Sequence, residues 1–341
     1  MPHAATKATE AAAPEATEAT TASTRCMAGT PTYGYACGKL AQRVPEGQPM
    51  IDVRRRQFII GLGRAAALNS LTCSVILVGA IATCVMSASA QHPPPFDHIV
   101  VFGDSLSDTG NAGRFSNGPV WVEQLAARLE VALRPTQAGG LNFAIGGARL
   151  DPLSGPHSLR AQADLFLRTR PPSGRTLHIV YGGGNDLLSA VANLKAPRMV
   201  ETAVASLRSI VADLVGHGAS DLLVPNLPDV GITPKIRARG STAVAHAGWL
   251  TQQFNGAAER ALSEVAGSVG TVRLYRLDVQ AMAARARTNP AAFGFVDIMN
   301  PCSRLPGCEG HLFWDHVHPT TQAHGRLADA ALAAMSLPVK R

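Results

Sequence analysis

The 341-residue sequence is poor in aromatic residues, at 5%, and in charged residues, at 16%. After residue 91 it contains 23 Lys and Arg against 19 Asp and Glu, and no basic run is interleaved with aromatic residues. This absence disfavours nucleic acid as a partner. The remaining balance of +4 gives only weak support to transient contact with an anionic membrane surface.

Long apolar runs are also scarce. The longest, at residues 71–86, is shorter than the about 20 residues that a membrane-spanning helix needs. Three arginines at 54–56 precede it, and Ala88-Ser89-Ala90 follow it with the small-residue pattern of a cleavage site. We therefore predict a signal peptide at residues 50–90 and an exported protein, periplasmic or secreted after cleavage near Ala90.

The N-terminal region leaves several alternatives open. Arg55-Arg56-Gln57-Phe58 resembles a twin-arginine signal, and the general secretory route is the alternative. A membrane anchor in the apolar run and a lipid anchor on Cys84 are further alternatives to a free exported protein. Residues 1–49 are rich in Ala, Thr, Pro and Glu without an apolar period, which predicts a disordered extension. If Met50 is the true start, this extension is not translated.

Cysteine becomes rare once the signal peptide is removed. Of six cysteines, only Cys302 and Cys308 lie after residue 91. An exported chain meets an oxidising compartment, and the segment CSRLPGC closes a short loop, so we predict a disulfide between them. A zinc site that adds His311 is the alternative, but it lacks an obvious fourth ligand.

Strand and helix patterns alternate from residue 91 to residue 341. Apolar runs predict strands at 98–102, 177–181, 221–225 and 269–275, with a short one at 141–145. This alternation predicts a single three-layer α/β/α domain with a central parallel sheet. Ligands of such sheets bind beyond the carboxyl ends of the strands. Helices are predicted at residues 119–131, 158–167, 198–215, 241–265, 279–287 and 320–335.

Small polar residues stand at the predicted carboxyl ends of two strands, and an Asp-His pair stands near the C-terminus. Ser105 follows the first strand as part of Gly103-Asp104-Ser105. Asp315 and His318 are three residues apart, so they can pair within one turn. A serine hydrolase needs a nucleophile, a base and a carboxylate that orients the base, roles that Ser105, His318 and Asp315 can fill. A metal-dependent hydrolase using Asp315, His316 and His318 is an alternative.

The same chemistry also needs donors for the oxyanion. The backbone N–H of Ser105, the backbone N–H of Gly146 or of its neighbour Gly147, and the side-chain amide of Asn185 are the candidates. Taken singly, these features have ordinary structural explanations, because a serine after a strand is commonly a turn residue or helix cap. Their occurrence in order within one predicted α/β domain favours catalysis.

Neighbouring polar and aromatic residues receive structural interpretations. Asp104 is predicted to accept hydrogen bonds behind the serine, and Asp108 and Asn111 to stabilise the following loop. Asp186 fits the first turn of a helix. Two tryptophans are candidates for an acyl pocket or for ordinary packing, Trp121 and Trp314.

Four ordered blocks resemble the GDSL, or SGNH, family of serine esterases and lipases. They are FGDSLSDTGN, NFAIGGA, GGND and FWDHVHPT. The resemblance extends from residue 99 to about residue 335, which is nearly all of the chain after the predicted signal peptide. The first block, followed by NGPVWVEQLA, is similar to the secreted phospholipase, lecithinase and haemolysin-like branch. The resemblance implies a flavodoxin-like fold, a Ser105–His318–Asp315 triad, and an oxyanion hole of Ser105, Gly146 and Asn185. No G-x-S-x-G motif frames Ser105, which disfavours the α/β-hydrolase elbow.

The resulting prediction is an exported enzyme that hydrolyses carboxylic esters, such as lipids, phospholipids or short acyl esters, without a cofactor. Acyl transfer to an alcohol uses the same acyl-enzyme and is the alternative within enzymes. A catalytically idle binding protein of the same fold is the alternative in another class, but a binder does not need the complete catalytic set.

Overall fold

The structure, a computed structural model, describes residues 95–337. The predicted extension at 1–49, the predicted signal peptide at 50–90 and its cleavage site lie outside the described residues. No helix within residues 95–337 combines the length and the hydropathy that crossing a bilayer requires.

Four parallel strands form the central sheet and follow one another in the order of the chain. They are β1 (His98–Gly103), β2 (Thr176–Tyr181), β3 (Asp221–Pro225) and β4 (Arg273–Leu277). β1 pairs with β2 along its whole length. Every residue of β2 is buried, as expected for a parallel strand whose two faces are both covered.

Helices cover the sheet in two groups. α1 packs against α8, whereas α4 packs against both α2 and α6. The apolar core lies between these helices and the sheet, so the predicted three-layer α/β/α architecture is confirmed. The helices are α1 (Trp121–Leu129), α2 (Leu159–Leu167), α3 (Gly184–Ala190), α4 (Ala196–Gly216), α5 (Pro234–Arg237), α6 (Ser241–Ser268), α7 (Val279–Thr288) and α8 (Thr321–Ala334).

Two predicted strands differ from the structure. Residues 141–145 do not form a regular strand, but they run along the free side of β1, where Phe143 N donates to Val101 O at 2.8 Å. The next rung of the ladder is missing, because Gly103 N donates to Gln162 Oε1 instead of to Phe143 O. The strand predicted at 269–275 begins only at Arg273, because α6 continues to Ser268 and a turn intervenes.

A small second sheet lies near the C-terminus. β5 (Asp297–Pro301) pairs with β6 (His311–Phe313), and a disulfide between Cys302 and Cys308 closes the loop between them, with Cα atoms 5.2 Å apart. Sulfurs joined in this way cannot serve as thiolate ligands, which removes the alternative zinc site.

A side chain from α2 fixes the end of β1. Gln162 Oε1 accepts from Gly103 N, and Gln162 Nε2 donates to Gly103 O, each at 2.9 Å. Gly103 has no room for a side chain, since an added Cβ would lie 2.9 Å from Tyr181 O. The backbone that leads into Asp104 and Ser105 is therefore held on both sides.

Replacing Gln162 by leucine is expected to lower the free energy of unfolding by about 2 kcal/mol, because the buried N–H of Gly103 would lose its partner and the C=O of Gly103 would keep only Ile145 N. Urea unfolding measures this change. The matched control is Asp164→Ala on the same helix, which removes only a half-exposed ion pair with Arg160 and should cost less than about 0.5 kcal/mol. Equal losses in the two variants would contradict this account.

Candidate active site

The turn after β1 presents Ser105 at the carboxyl edge of the sheet. Ser107 N donates to Asp104 O at 3.0 Å, and Leu106 N donates to the Asp104 carboxylate at 3.0 Å, so the chain bends sharply at the serine. Trp121 Nε1 donates to Ser107 Oγ at 3.0 Å and anchors the turn to α1. Ser105 itself is almost completely buried.

His318 reaches Ser105 from the other end of the chain. Its Nε2 lies 2.9 Å from Ser105 Oγ, and its Nδ1 lies 2.8 Å from Asp315 Oδ2. The second carboxylate oxygen of Asp315 accepts from the backbone N–H groups of Val317 and His318, at 2.8 and 2.6 Å. One carboxylate therefore both forms the turn and orients the imidazole.

The electrostatics of Asp315 favour its ionised form. Burial raises the pKa of this carboxyl, but the hydrogen bonds from the His318 ring and from the backbone of His318 and Val317 outweigh burial and bring the pKa to about 2. An ionised Asp315 places the ring proton on Nδ1 of His318. Nε2 is then free to accept the Ser105 proton, which is the arrangement that activates a hydroxyl as a nucleophile.

Asn185 stands at the start of α3, directly after β2. Its Nδ2 donates one hydrogen bond to Ala148 O at 2.9 Å, which leaves the second N–H of the amide available. The backbone N–H of Ser105 donates no hydrogen bond to any residue in the described part of the chain. Both groups are suited to bind a developing oxyanion.

The assignment of Gly146 to the oxyanion hole needs correction. Gly146 N donates to Asp108 Oδ2 at 2.8 Å and is therefore occupied. An added Cβ at Gly146 would lie 2.3 Å from the ring of Phe115, so close packing explains this glycine. Gly147 follows at a φ of +78°, and its N–H has no acceptor among residues 95–337. Gly147, which the sequence left as the alternative to Gly146, is therefore the better candidate to donate a backbone N–H to the oxyanion.

Asp108 joins the β1 loop to the 141–148 segment. Its Oδ1 accepts from Gly110 N at 2.8 Å and Asn111 N at 2.7 Å, and its Oδ2 accepts from Ala112 N at 3.0 Å as well as from Gly146 N. Asn111 Nδ2 adds bonds to Asn142 O and Ala144 O. These positions are structural, as the sequence indicates.

The remaining predicted polar residues lie around the site without joining it. Asp186 accepts from the backbone of Leu150 and Asp151, at 2.9 and 3.1 Å, and so shapes the neighbouring loop. His316 is exposed, and within residues 95–337 no three potential ligands are grouped to hold a metal ion. Trp121 lies in the core, and Trp314 does not line the cavity beside Ser105.

An apolar cavity of about 150 Å³ extends from Ser105 between α7 and α8. The cavity is not visible in the sequence, because its walls come from segments that are distant in the chain. One feature of the sequence that could have indicated the cavity is the group of apolar residues on α7, which alternates with arginines. The lining includes Leu188, Met282, Ala283, Ala286, Phe295 and Leu327.

Comparisons with known proteins identify the family of this chain. The profile of the GDSL-like Lipase/Acylhydrolase family matches residues 99–331. The chain belongs to this family, and it is a carboxylic ester hydrolase.

Several relatives are similar over most of this domain. The phosphatidylcholine-sterol acyltransferase of Aeromonas hydrophila is 27% identical, with 75% of this chain and 95% of that protein covered. Esterase EstA of Pseudomonas aeruginosa is also 27% identical over 76% of this chain, which spans half of that esterase. An acetylxylan esterase structure from Geobacillus stearothermophilus has a TM-score of 0.46 at 18% identity, covering 72% of this chain and 96% of that one.

The buried carboxyl of Asp104 should make the stability of the protein depend on pH. Burial raises its pKa from 3.8 to about 6, so the stability that its neutral form contributes is complete below pH 3.8 and lost as the pH rises through 6. An amide at this position cannot ionise and keeps an acceptor for Leu106 N. Asp104→Asn should therefore be more stable than the wild type at pH 7 by about 3 kcal/mol, with a smaller difference at pH 4.

Urea unfolding of both proteins from pH 4 to pH 7 measures this difference, and the comparison cancels the titration of the other groups. A difference that stays constant over this range would show that Asp104 does not titrate as described.

Proposed function

We propose that the protein hydrolyses carboxylic esters through a covalent acyl-enzyme on Ser105, with His318 as general base and Asp315 as the group that orients it. The observation that carries this proposal is the unbroken chain of hydrogen bonds from Ser105 Oγ through His318 to Asp315, at 2.9 and 2.8 Å. Free oxyanion donors beside the serine support the same function.

The first half of the reaction forms the acyl-enzyme. Ser105 Oγ attacks the ester carbonyl while His318 Nε2 takes the hydroxyl proton. The carbonyl oxygen becomes an oxyanion and binds the N–H groups of Ser105 and Gly147 and the free N–H of Asn185. When the tetrahedral intermediate collapses, the C–O bond breaks and His318 donates its proton to the departing alcohol.

The second half regenerates the serine. A water molecule loses a proton to His318 and attacks the acyl carbon, so the same oxyanion donors act again. Collapse returns the proton to Ser105 Oγ and releases the carboxylic acid. Asp315 stays ionised throughout and stabilises the imidazolium that forms in each half, consistent with its pKa of about 2.

We further propose that the protein acts after export, on small-molecule or lipid esters. The predicted signal at 50–90 and the disulfide between Cys302 and Cys308 support an oxidising compartment. Lipid substrates gain support from similarity to a phosphatidylcholine-sterol acyltransferase and to the thermolabile hemolysin of Vibrio parahaemolyticus, which is 24% identical.

Ser105→Ala is expected to abolish hydrolysis of p-nitrophenyl butyrate without unfolding the protein. Asn185→Ala should lower kcat by about 10²–10³, because one oxyanion donor is lost while the nucleophile remains. His316→Ala is the matched control, since this histidine is exposed and two residues from His318. Folded variants of Ser105 or Asn185 with wild-type turnover would overturn the proposal, and circular dichroism verifies folding.

Acyl transfer is the second candidate function, favoured by similarity to an acyltransferase across 95% of that relative. Water and an alcohol compete for one acyl-enzyme, so added butanol should divert part of the product from butyric acid to butyl butyrate while p-nitrophenol release marks the shared first half. Chromatography of the two products measures the ratio. Acid as the sole product at every butanol concentration would exclude transfer to this acceptor.

A further inference from the structure

A second cavity lies beyond the carboxyl ends of β3 and β4, where ligands of parallel α/β sheets bind. Its volume of about 430 Å³ is larger than that of the cavity beside Ser105 and is typical of cavities that bind small molecules. Asn226 and Asp278, which directly follow the two strands, both line it. None of the residues proposed for catalysis does, so the second cavity is a separate site.

The N-terminal end of α7 separates the two cavities. Val279 lines the cavity of the candidate active site, whereas its neighbours Asp278 and Gln280 line the second cavity. Leu227 and Asn226 divide in the same way, with Leu227 on the side of the active site. A ligand in the second cavity would therefore contact residues that adjoin the wall of the active-site cavity without entering that cavity.

The floor of the second cavity is apolar, whereas its rim is polar. Six buried side chains from α4, β3, α6 and β4 form the floor, namely Leu207, Val224, Phe254, Ala258, Leu262 and Leu277. Five half-buried or exposed residues form the rim, namely Asn226, Glu259, Arg276, Asp278 and Gln280. A ligand that fits must present a carbon surface to the floor and polar groups to the rim.

A network of hydrogen bonds fixes the amides around the second cavity. Asn255 Oδ1 accepts from Leu227 N at 2.9 Å and Asn255 Nδ2 donates to Leu227 O at 2.8 Å, which determines the orientation of this amide. Asn255 Nδ2 also donates to Gln280 Oε1 at 3.0 Å, which orients the second amide. Gln280 N donates to Asn226 Oδ1 at 3.0 Å, and Asn226 Nδ2 donates to Asp278 Oδ1 at 2.9 Å. The polar groups of the rim are therefore preorganised.

Several groups of the rim keep free hydrogen-bonding capacity. Gln280 Nε2 donates to no residue in the described part of the chain, which leaves two N–H groups, and one N–H of Asn226 Nδ2 is also free. Asp278 Oδ2 and Glu259 Oε2 accept no hydrogen bond from residues 95–337. The rim thus offers both donors and acceptors to a ligand.

The charges of the rim disfavour an ion as the ligand. Arg276 Nη2 lies 2.9 Å from Glu259 Oε1, so these two charges balance, and Asp278 leaves an excess of one negative charge. An anion would be repelled, and a cation could not accept the N–H groups of Gln280 and Asn226. A hydroxyl group both donates and accepts, so it can bind an amide N–H and a carboxylate together.

We propose that the second cavity binds a neutral sugar ring. Its hydroxyl groups bind the free N–H groups of Gln280 and Asn226 and the free carboxylate oxygen of Asp278, while one carbon face of the ring packs on the apolar floor. This site adds a binding function to the protein and does not depend on ester hydrolysis.

The test measures the binding of D-glucose, D-xylose and N-acetyl-D-glucosamine to the purified protein by ligand-observed NMR titration. At least one of the three sugars is expected to bind with a Kd in the millimolar range, because only a few hydrogen bonds and one ring face contribute. Glycerol has hydroxyl groups but no ring face, and inorganic phosphate is an anion. Both are expected to bind more weakly than that sugar.

Gly256→Phe tests the location of the site. Gly256 lines the second cavity from α6, and a Cβ added there would meet only Arg260 Nη1, at 3.6 Å. Replacing a glycine inside a helix favours folding, and the new ring should raise the Kd of the sugar by at least about tenfold because it occupies the same space. Gln253→Phe is the matched control, since Gln253 is exposed on the same helix and does not line the cavity, and its Kd should equal that of the wild type.

Gln280→Leu removes two free N–H groups and should raise the Kd by about tenfold. This variant decides the question if Gly256→Phe does not fold. Hydrolysis of p-nitrophenyl butyrate by Gly256→Phe should match that of the wild type, because Gly256 does not line the active-site cavity.

Absence of binding by all three sugars would overturn the inference while leaving the esterase function intact. Equal Kd values for the folded cavity variant and for Gln253→Phe would overturn it as well, and so would tighter binding of glycerol or phosphate than of any sugar. A sugar that inhibits ester hydrolysis competitively, with the same inhibition constant in Gly256→Phe, would place the sugar in the active site and contradict the inference. A wild type that does not hydrolyse p-nitrophenyl butyrate would contradict the proposed function alone.

Discussion

The geometry of the site depends on one buried carboxylate. Asp108 uses its two oxygens to accept four backbone N–H groups, three from its own loop and one from Gly146. Backbone donors buried without partners are costly, so this one side chain makes an irregular loop stable inside the protein. It also ties the serine turn to the segment that contains Gly147, and so holds the proposed nucleophile and the proposed oxyanion donor in a fixed relation.

Two aspartates near Ser105 show how burial and hydrogen-bond partners together decide the charge of a carboxyl. The carboxylate of Asp104 accepts a hydrogen bond from the backbone N–H of Leu106, but the effect of burial is larger and raises its pKa to about 6. Asp315 receives two backbone N–H groups and an imidazole, and its pKa falls to about 2. The same residue type is thus a weak acid behind the serine and a permanent anion behind the histidine.

Local pattern and motif were sufficient for the main outline of the fold. The first three strands, the six longer helices and the candidate residues Ser105, Asn185, Asp315 and His318 could be read from the sequence, because each depends on residues close in the chain. The short helices α3 and α5 and the small β5–β6 sheet were not predicted. The β4 boundary could not be read from the sequence, since α6 continued through residues with no strong stop signal. Gly146 and Gly147 could not be separated either, because a contact with Asp108, 38 residues away, distinguishes their N–H groups.

Ser105 and His318, the proposed nucleophile and its proposed base, are separated by 213 positions in the chain. Ser105 stands at the end of the first strand of the sheet, whereas His318 immediately precedes the last helix. During synthesis the serine emerges long before any group that could activate it. In the proposed mechanism, a nascent or truncated chain that lacks the last thirty or so residues holds an ordinary unreactive hydroxyl, and hydrolysis begins only when the C-terminal segment has docked. If Ser105 and His318 act as proposed, ester cleavage requires that both ends of the domain have folded together.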